Sequence, residues 1–370
     1  MYYFFKLCCS LVLITFLALI STDTHAQQRR NERLKRQMRK QQNYRTSTFT
    51  GKRIAFANSR QYVTLGLSVS ALNYFGDITP KSGILSTDIS FTRPAIGLSS
   101  GLRLGPQFSL QAMLMWGRLR GDDYEAANPD NDEAIYRYTR NLHFRNSITD
   151  FSLVGVFDLI PNRGTVFTRA VFTPYLFAGL SVFHHNPKAI VPNEAFLGPD
   201  ETPIVPERAG EWVELMPLQT EGQSYGHFQF SIPLGVGVRQ RINQFFDVEF
   251  EFTYRLMFFD YLDDVSGNYV DKGTLGSELA KVMSDRSREP VAVVSGDERL
   301  EAVINSDKIN TKIATYTGAD GQVYGHFPGY GQPGEVRGHS NDNDIFIATT
   351  IRLVYMLGKS PFEKGAGRTR

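Results

Sequence analysis

Residues 246–259 show the clearest pattern in the chain, a strict alternation of side chains over 14 positions. One face carries Phe246, Val248, Phe250, Phe252, Tyr254, Leu256 and Phe258, and the other carries Asp247, Glu249, Glu251, Thr253, Arg255, Met257 and Phe259. A helical period would mix these two sets around the axis, whereas a strand separates them. Strands of soluble sheets have about 5–6 residues, and a strand that crosses a bilayer needs about 9–11. The segment therefore predicts a transmembrane β-strand.

The same period of two recurs in six of seven other segments, and the seventh, 172–183, is apolar on both faces. The seven segments are residues 63–71, 96–104, 108–116, 150–158, 172–183, 228–239 and 345–355. Together with 246–259 they make eight strands, an even number, as bacterial single-chain barrels have. The pattern predicts an all-β fold: an eight-stranded antiparallel transmembrane β-barrel with long outer loops and a basic N-terminal tail.

The connections between these strands alternate in length. Short links fall at 105–106, 161–169 and 241–244, and long ones at about 75–92, 119–142, 184–226 and 260–343. Short periplasmic turns and long extracellular loops are typical of bacterial outer-membrane barrels, so we expect both termini in the periplasm. A soluble lipocalin-like barrel is the alternative, with its apolar face around a ligand. The small and charged residues of the polar face favour the inside of a narrow membrane barrel.

The first 26 residues resemble a secretory signal. An apolar run from Leu7 to Ile20 is followed by Thr24-His25-Ala26, with small residues at the −3 and −1 positions of a cleavage site. Both cysteines, Cys8 and Cys9, lie in this segment, so we expect no disulfide in the exported chain. We predict a signal peptide at 1–26, a basic periplasmic tail at 27–60, the barrel at 61–358 and a basic C-terminal tail at 359–370.

Composition excludes two other classes of protein. The chain is 42% hydrophobic and 12% aromatic, unlike a disordered polymer. Its mean hydropathy of −0.25 argues against many apolar helices, but suits a barrel that exposes every second strand residue to lipid.

The segment 29–53 contains ten Lys or Arg and one acidic residue, Glu32. We predict a solvated docking arm for an acidic protein or for lipid headgroups, the alternative being a tether without a partner. We expect no nucleic-acid partner, because the chain is exported and this segment is poor in aromatics. The candidate docking residues are Arg29, Arg30, Arg33, Lys35, Arg36, Arg39 and Lys40.

Charged residues also fall on the inward face of the predicted strands. An eight-stranded barrel has just enough room for its own side chains, and isolated buried charges are costly. We therefore expect a network of ion pairs that fills the barrel, and an ion path is the alternative. The candidate members are Arg103, Asp150, Arg239, Asp247, Glu249, Glu251, Arg255 and Arg352.

Several short strings resemble one known family. They are NYFGD (73–77), GDD (121–123), RNLHF (140–144), PYLFAG (174–179), TEGQ (220–223), IPLGVG (232–237) and DYLDDVS (260–266). In this order and placement the chain resembles PorG-type outer-membrane barrels of Bacteroidota, which are components of the type IX secretion system. The long basic tail and the final loop of about 80 residues depart from that pattern.

The resemblance implies a non-enzymatic subunit that anchors a periplasmic ring of PorK- and PorN-like proteins to the outer membrane. The basic tails would then face the ring. The alternatives are a subunit of another outer-membrane complex, or a free-standing porin-like or adhesion barrel.

No arrangement of residues indicates catalysis, so we expect no enzyme and no cofactor. Acidic residues near the outer rim are predicted to cap turns and to anchor loops to Arg118 and Arg140. This rim set comprises Asp122, Asp123, Arg140, Glu221, Asp260, Asp263 and Asp264. The open alternatives are Ca²⁺ binding by the acidic strings, a metal at His184-His185, and a rim enzyme using His143 and Asp263. Within the last loop, 275–285 predicts a short helix, and the Gly/Pro-rich 325–334 predicts a mobile tip.

Overall fold

The computed structural model describes residues 61–78, 91–131, 134–200, 202–340 and 343–357. The predicted signal peptide, the basic N-terminal tail and the C-terminal tail at 359–370 lie outside the described residues.

Eight long strands form a closed antiparallel ring in the order β1–β2–β3–β4–β5–β8–β9–β14, and β14 pairs again with β1. The predicted eight-stranded barrel is therefore confirmed. Its strands are β1 (Val63–Phe75), β2 (Arg93–Arg103), β3 (Phe108–Asp122), β4 (His143–Asp158), β5 (Phe172–His184), β8 (Phe228–Arg241), β9 (Phe246–Met257) and β14 (Ile345–Met356).

The strand boundaries differ from the predicted ones most clearly in the β3–β4 hairpin, and β9 ends earlier than predicted. β3 and β4 stay paired from Phe108↔Phe157 to Asp122↔His143, so the second long connection begins at 123 and not at 119. The hairpin extends because β4 also pairs with the short strand β6 (Pro187–Ile190), which supports its outer end. β9 ends at Met257, so Phe258 and Phe259 lie beyond the strand.

The described parts of three long connections, 123–142, 185–227 and 258–344, fold together at one end of the barrel, and we call them the cap. It contains the helices α1 (Asp123–Ala126), α2 (Ile135–Arg140), α3 (Glu278–Ser284) and α4 (Leu300–Ile304). Its strands are β6, β7 (Trp212–Glu214), β10 (Val291–Ala292), β11 (Asp297–Glu298), β12 (Ala314–Thr317) and β13 (Val323–His326). No helix among the described residues is long and apolar enough to span a membrane.

The barrel wall sorts its side chains as the alternation predicts. Large apolar side chains remain exposed on the outer surface of every strand, including Leu67 (64%), Ile96 (62%), Leu180 (70%), Phe230 (71%) and Ile351 (56%). On the inner face, the rings of Tyr175 and Phe177 occupy the space over Gly237 and Gly235 of the neighbouring strand. An added Cβ at Gly237 would lie 2.5 Å from the Tyr175 ring, so this packing requires glycine.

The cap has apolar clusters of its own. Ile135 and Tyr138 of α2 pack with Val303 of α4 and with Phe327 and Tyr330. The expectation of a mobile tip at 325–334 is therefore wrong, because its aromatic side chains are buried against α2. The predicted helix within 275–285 is present as α3, whose Met283 packs on β6 and β7.

Candidate functional site

The centre of the lumen is occupied by Arg352 and two glutamates. The Arg352 Nη1 lies 2.9 Å from Glu249 Oε2, and its Nη2 lies 2.7 Å from Glu251 Oε2. Tyr175 donates a further hydrogen bond of 2.8 Å to Glu251. Gly66 of the adjacent strand β1 leaves room for the Arg352 side chain, since a Cβ there would lie 2.8 Å from Arg352 Cδ. All four polar side chains are buried.

A second pair lies nearer the cap. Arg255 Nη1 is 2.8 Å from both oxygens of Asp150 and donates to the hydroxyl of Ser152 at 2.8 Å. Ser152 and Ser181 also donate to Asp150, so this buried carboxylate has a donor on each oxygen. Hydrogen bonds to the buried carboxylate are what make a buried ion pair tolerable, and Arg255 Nε is left without a partner among the described residues.

The remaining lumen charges pair at the turn end of the barrel. Arg103 and Arg239 both contact Asp158, and Arg239 Nε lies 2.6 Å from Glu249. Asp247 pairs with Arg169, which comes from the turn before β5. The eight residues predicted from the sequence all lie in this network, but the expected partners omitted Asp158 and Arg169. Arg169 lies outside any alternating segment, so no periodic signal marks it.

Five arginines and five carboxylates therefore meet in the described lumen, and their formal charges cancel. A cavity of about 30 Å³ beside Arg103, Gln111 and Glu249 is large enough for only one or two water molecules. The arrangement fills the barrel with paired side chains.

At the rim, Arg140 joins three connections. Its Nε and Nη2 bond to Asp123 at 2.8 and 2.9 Å, its Nη1 bonds to the carbonyl of Arg337 at 2.6 Å, and its Nη2 bonds to the carbonyl of Asp77 at 2.7 Å. Asp123 is fully buried and also accepts from the amide of Leu142 at 3.1 Å. This clamp holds the first, second and last long connections together.

A second rim clamp uses Arg337, which the sequence prediction did not include. Its Nη1 donates to Glu221 at 2.8 Å and to the carbonyl of Asp264 at 2.7 Å. The Asp264 carboxylate accepts from the hydroxyls of Thr220 and Tyr225, both at 2.5 Å. Burial raises the pKa of Asp264 to about 6, with Arg337 opposing that rise.

Asp263 and Asp344 bind one phenol. The Tyr74 hydroxyl lies 2.7 Å from Asp263 Oδ2 and 2.6 Å from Asp344 Oδ1. A hydroxyl carries a single proton, so both bonds form only when one carboxyl is itself protonated. Burial raises the pKa of both aspartates well above the ordinary value, and each carboxyl raises the pKa of its neighbours further. Asp263 was expected to cap a turn and to anchor its loop to a rim arginine. Its Oδ1 does accept from the Val265 amide at 3.0 Å, but its Oδ2 binds Tyr74 and not an arginine.

Asp77 and Asp260 are the other carboxyls facing this pair. Burial raises the pKa of Asp77, and the hydrogen bond of 3.0 Å from the His339 backbone amide and the Arg140 charge oppose that rise. Burial raises the pKa of Asp260 to about 7, and its Oδ2 has no hydrogen-bond partner among the described residues.

We expect Asp344→Asn to stabilise the cap at pH 8 by on the order of 1 kcal/mol, the worth of one buried hydrogen bond. The amide oxygen can accept from the amide of Leu262, which now donates to Asp344 at 2.8 Å, while the new NH₂ donates to Tyr74. Because the pKa values of these carboxyls in the folded chain lie above those of the unfolded chain, their contribution to wild-type stability is greatest at low pH. This contribution to stability is lost as the pH rises through the pKa values of the folded chain, and that of Asp260 is about 7.

Hydrogen exchange of the Leu262 amide at pH 5 and pH 8 measures this effect, with Asp307→Asn as the control at an exposed aspartate. Faster exchange in Asp344→Asn than in the wild type at pH 8 would contradict the shared proton.

The other rim candidates have structural partners. Asp122 accepts from the amides of Tyr124 and Glu125 at 3.1 and 3.4 Å and so caps α1. The two ring nitrogens of His143 lie 2.9 Å from the Ile190 amide and 2.8 Å from the Arg286 guanidinium. His184 stacks on His227, while His185 points inward to the aromatic ring of Tyr225. The described residues contain no group of three potential metal ligands.

The fold and its interior define a closed β-barrel with an apolar outer wall and an ion-paired lumen. The model of a family described as a domain of unknown function (DUF6089) matches residues 51–204, less than half of the chain. No curated protein matches this chain.

Several solved structures share partial similarity with this chain. Neisserial surface protein A matches at 9% identity and a TM-score of 0.29, covering 80% of this chain and 96% of that one. Ail, the attachment invasion locus protein of Yersinia pestis, matches at 6% identity and a TM-score of 0.29, covering 80% and 97%. The N-terminal β-barrel domain of Pseudomonas aeruginosa OprF matches at 10% identity and a TM-score of 0.27, covering 79% and 96%.

Proposed function

We propose that this protein is an integral outer-membrane barrel. The observation that supports this proposal is the continuous ring of exposed apolar side chains on a closed barrel whose polar groups face inward. Soluble monomers rarely expose apolar patches larger than a few hundred Å². Aromatic residues lie towards both ends of the ring, with Phe108, Phe157 and Tyr355 at the turn end and Trp116 and Phe228 at the cap end. Aromatic girdles at both interfaces are typical of transmembrane barrels.

Leu67→Arg tests whether lipid covers this ring. Leu67 is 64% exposed and lies between Leu98 and Leu353. In water, an exposed substitution changes stability by about 0.5 kcal/mol or less. In a bilayer, arginine at this level is expected to destabilise the barrel by about 2–4 kcal/mol.

The measurement is the fraction of chain that folds into lipid vesicles, read as heat-modifiable migration on a gel. Val205→Arg is the matched control, because Val205 is 76% exposed but lies in the cap. Equal folding of the two variants would show that the ring faces water.

Within the membrane, we propose a non-enzymatic structural role: a PorG-like subunit of a protein secretion machine that anchors a periplasmic ring. The resemblance of the seven sequence strings supports this role. The filled lumen supports an anchor more than a channel, since every charge along it has a partner. The basic residues 29–40, outside the described residues, are the proposed contacts of PorK- and PorN-like ring proteins.

Affinity purification from cell envelopes with mass spectrometry tests the role. We expect ring proteins to copurify with the full chain, and to be lost when the seven basic residues between Arg29 and Lys40 are changed to Gln. The control changes Arg208 and Lys312, two exposed basic residues of the cap, instead. If no ring protein copurifies with the wild type, the protein is a subunit of another outer-membrane complex or a free-standing barrel. A conductance measurement then distinguishes a porin-like barrel from an adhesion barrel.

A further inference from the structure

The outer face of β3, β4 and β6 changes from apolar to basic within a few residues. Trp116 of β3 is opposite Thr149 of β4, and both lie at the cap end of the apolar ring. The next outward positions are Arg118 opposite Ser147, and then Arg120 opposite Arg145. Two residues of a strand span about 6.6 Å, so Arg118 and Arg145 lie within about 13 Å of the aromatic level.

The outermost of these rows consists of cations in register across three strands. Arg120 is opposite Arg145, and Arg145 is opposite Lys188 of β6. Like charges directly opposite one another are destabilising in a sheet. The chain nevertheless places three of them side by side on an outward face, which indicates a site that an anion completes.

The carboxylates nearby compensate only the two ends of this row. Arg120 bonds to Glu125 at 2.5 Å, and Lys188 bonds to Glu214 at 2.9 Å. Arg118 is exposed, and neither it nor Arg145 has an ion pair among the described residues. Arg145 in the middle of this row and Arg118 in the row below it therefore keep uncompensated positive charges.

Arg145 is also held in place. Its guanidinium carbon lies 3.6 Å from the ring centroid of Trp212 in β7, a close cation–π contact. The stacked face is occupied, so the N–H groups at the edge of the guanidinium remain available to a ligand. A planar guanidinium donates to phosphate through two parallel bonds.

From these observations we propose that Arg118 and Arg145, flanked by Arg120 and Lys188, bind the phosphate of an outer-leaflet glycolipid headgroup. The proposal rests on the membrane barrel proposed above. The polar headgroup layer adds about 5–7 Å on each side of the hydrocarbon core. With a strand tilt of about 40°, Arg118 lies about 5 Å above the level of Trp116, within this layer, and Arg145 lies about 10 Å above it, at the outer edge of the layer. Continuity with the apolar ring favours a lipid, because the acyl chains of the same molecule would cover Trp116 and the apolar residues below it.

The test uses the full chain in detergent, titrated with lipid A and followed by native mass spectrometry. Arg118→Gln/Arg145→Gln is expected to weaken lipid A binding at least about tenfold, the effect of losing roughly 1.4 kcal/mol of charge-assisted bonding. The matched control is Arg163→Gln/Arg208→Gln, which removes the same charge from an exposed turn and from the distal cap. This control is expected to bind as the wild type does.

Two further probes identify the source of the phosphate. Dephosphorylated lipid A is expected to bind wild type and double variant equally weakly. Inorganic phosphate at millimolar concentration is expected to leave lipid A bound. If inorganic phosphate displaces lipid A, the ligand of the site is free phosphate and not the lipid.

Equal lipid A binding by the double variant and the wild type would overturn the site. Heat-modifiable migration of both double variants reports that the barrel is folded. Membrane insertion is tested separately by Leu67→Arg, so the lipid site can fail while the membrane barrel stands.

Discussion

Replacing Arg352 with methionine is expected to lower the free energy of unfolding of the barrel by about 3–5 kcal/mol. The change leaves Glu249 and Glu251 facing one another in the lumen without the cation that binds both. A buried charge that loses its partner keeps the full cost of leaving water. Arg239 still reaches Glu249, so Glu251 is the carboxylate that suffers most.

Urea titration of the refolded barrel in detergent, read as heat-modifiable migration, measures this loss. Arg208→Met is the control, since that arginine pairs with Glu211 at the surface and such pairs contribute about 0–1 kcal/mol. Adding Glu251→Gln to Arg352→Met should recover part of the stability, because it removes the unpaired charge. No recovery in the double variant would indicate that Arg352 stabilises the barrel by packing alone.

Replacing Arg140 with methionine is expected to open the cap while the barrel stays folded. The variant loses the two bonds to Asp123 and the bonds to the carbonyls of Asp77 and Arg337. Breaking a buried pair from one side costs about 3–5 kcal/mol, and here the cost falls on the joint between three connections.

Hydrogen exchange resolves the two parts of the molecule. We expect faster exchange at Leu142 and in α2, with unchanged protection in β1 and β14. Arg140→Met/Asp123→Asn should slow the exchange again, since the buried carboxylate is then neutral. Uniformly faster exchange through the barrel strands would contradict an independent cap and indicate a single cooperative unit.

The strands were predictable because their signal is local. The face on which a side chain lies depends only on whether its position in the strand is odd or even. The alternation along the chain therefore assigns Phe250 to the wall and Glu251 to the lumen without knowledge of the partner strands. The set of lumen charges followed from the same alternation. Their pairing did not, because partners such as Arg169 and Asp247 lie 78 residues apart and Arg169 stands in a turn.

The cap was not predictable in this way. Its residues have no sustained period, and composition misled at 325–334, where Gly and Pro suggested an exposed tip. Phe327 and Tyr330 are instead buried against Tyr138, nearly two hundred residues earlier. Arg286, Arg299 and Arg337 are buried there as well, and nothing in their local sequence separates them from surface arginines.

The sequence by itself determined the barrel: eight strands, an apolar outer face, a charged inner face and the alternation of short and long connections. Each of these depends on neighbours along the chain, which the order of residues states directly. Only the tertiary structure decided which charges meet, that Tyr74 joins Asp263 and Asp344, and that Arg118, Arg145 and Lys188 form one basic surface. These groups come from segments far apart in the chain, and the register of the closed sheet and the packing of the cap bring them together.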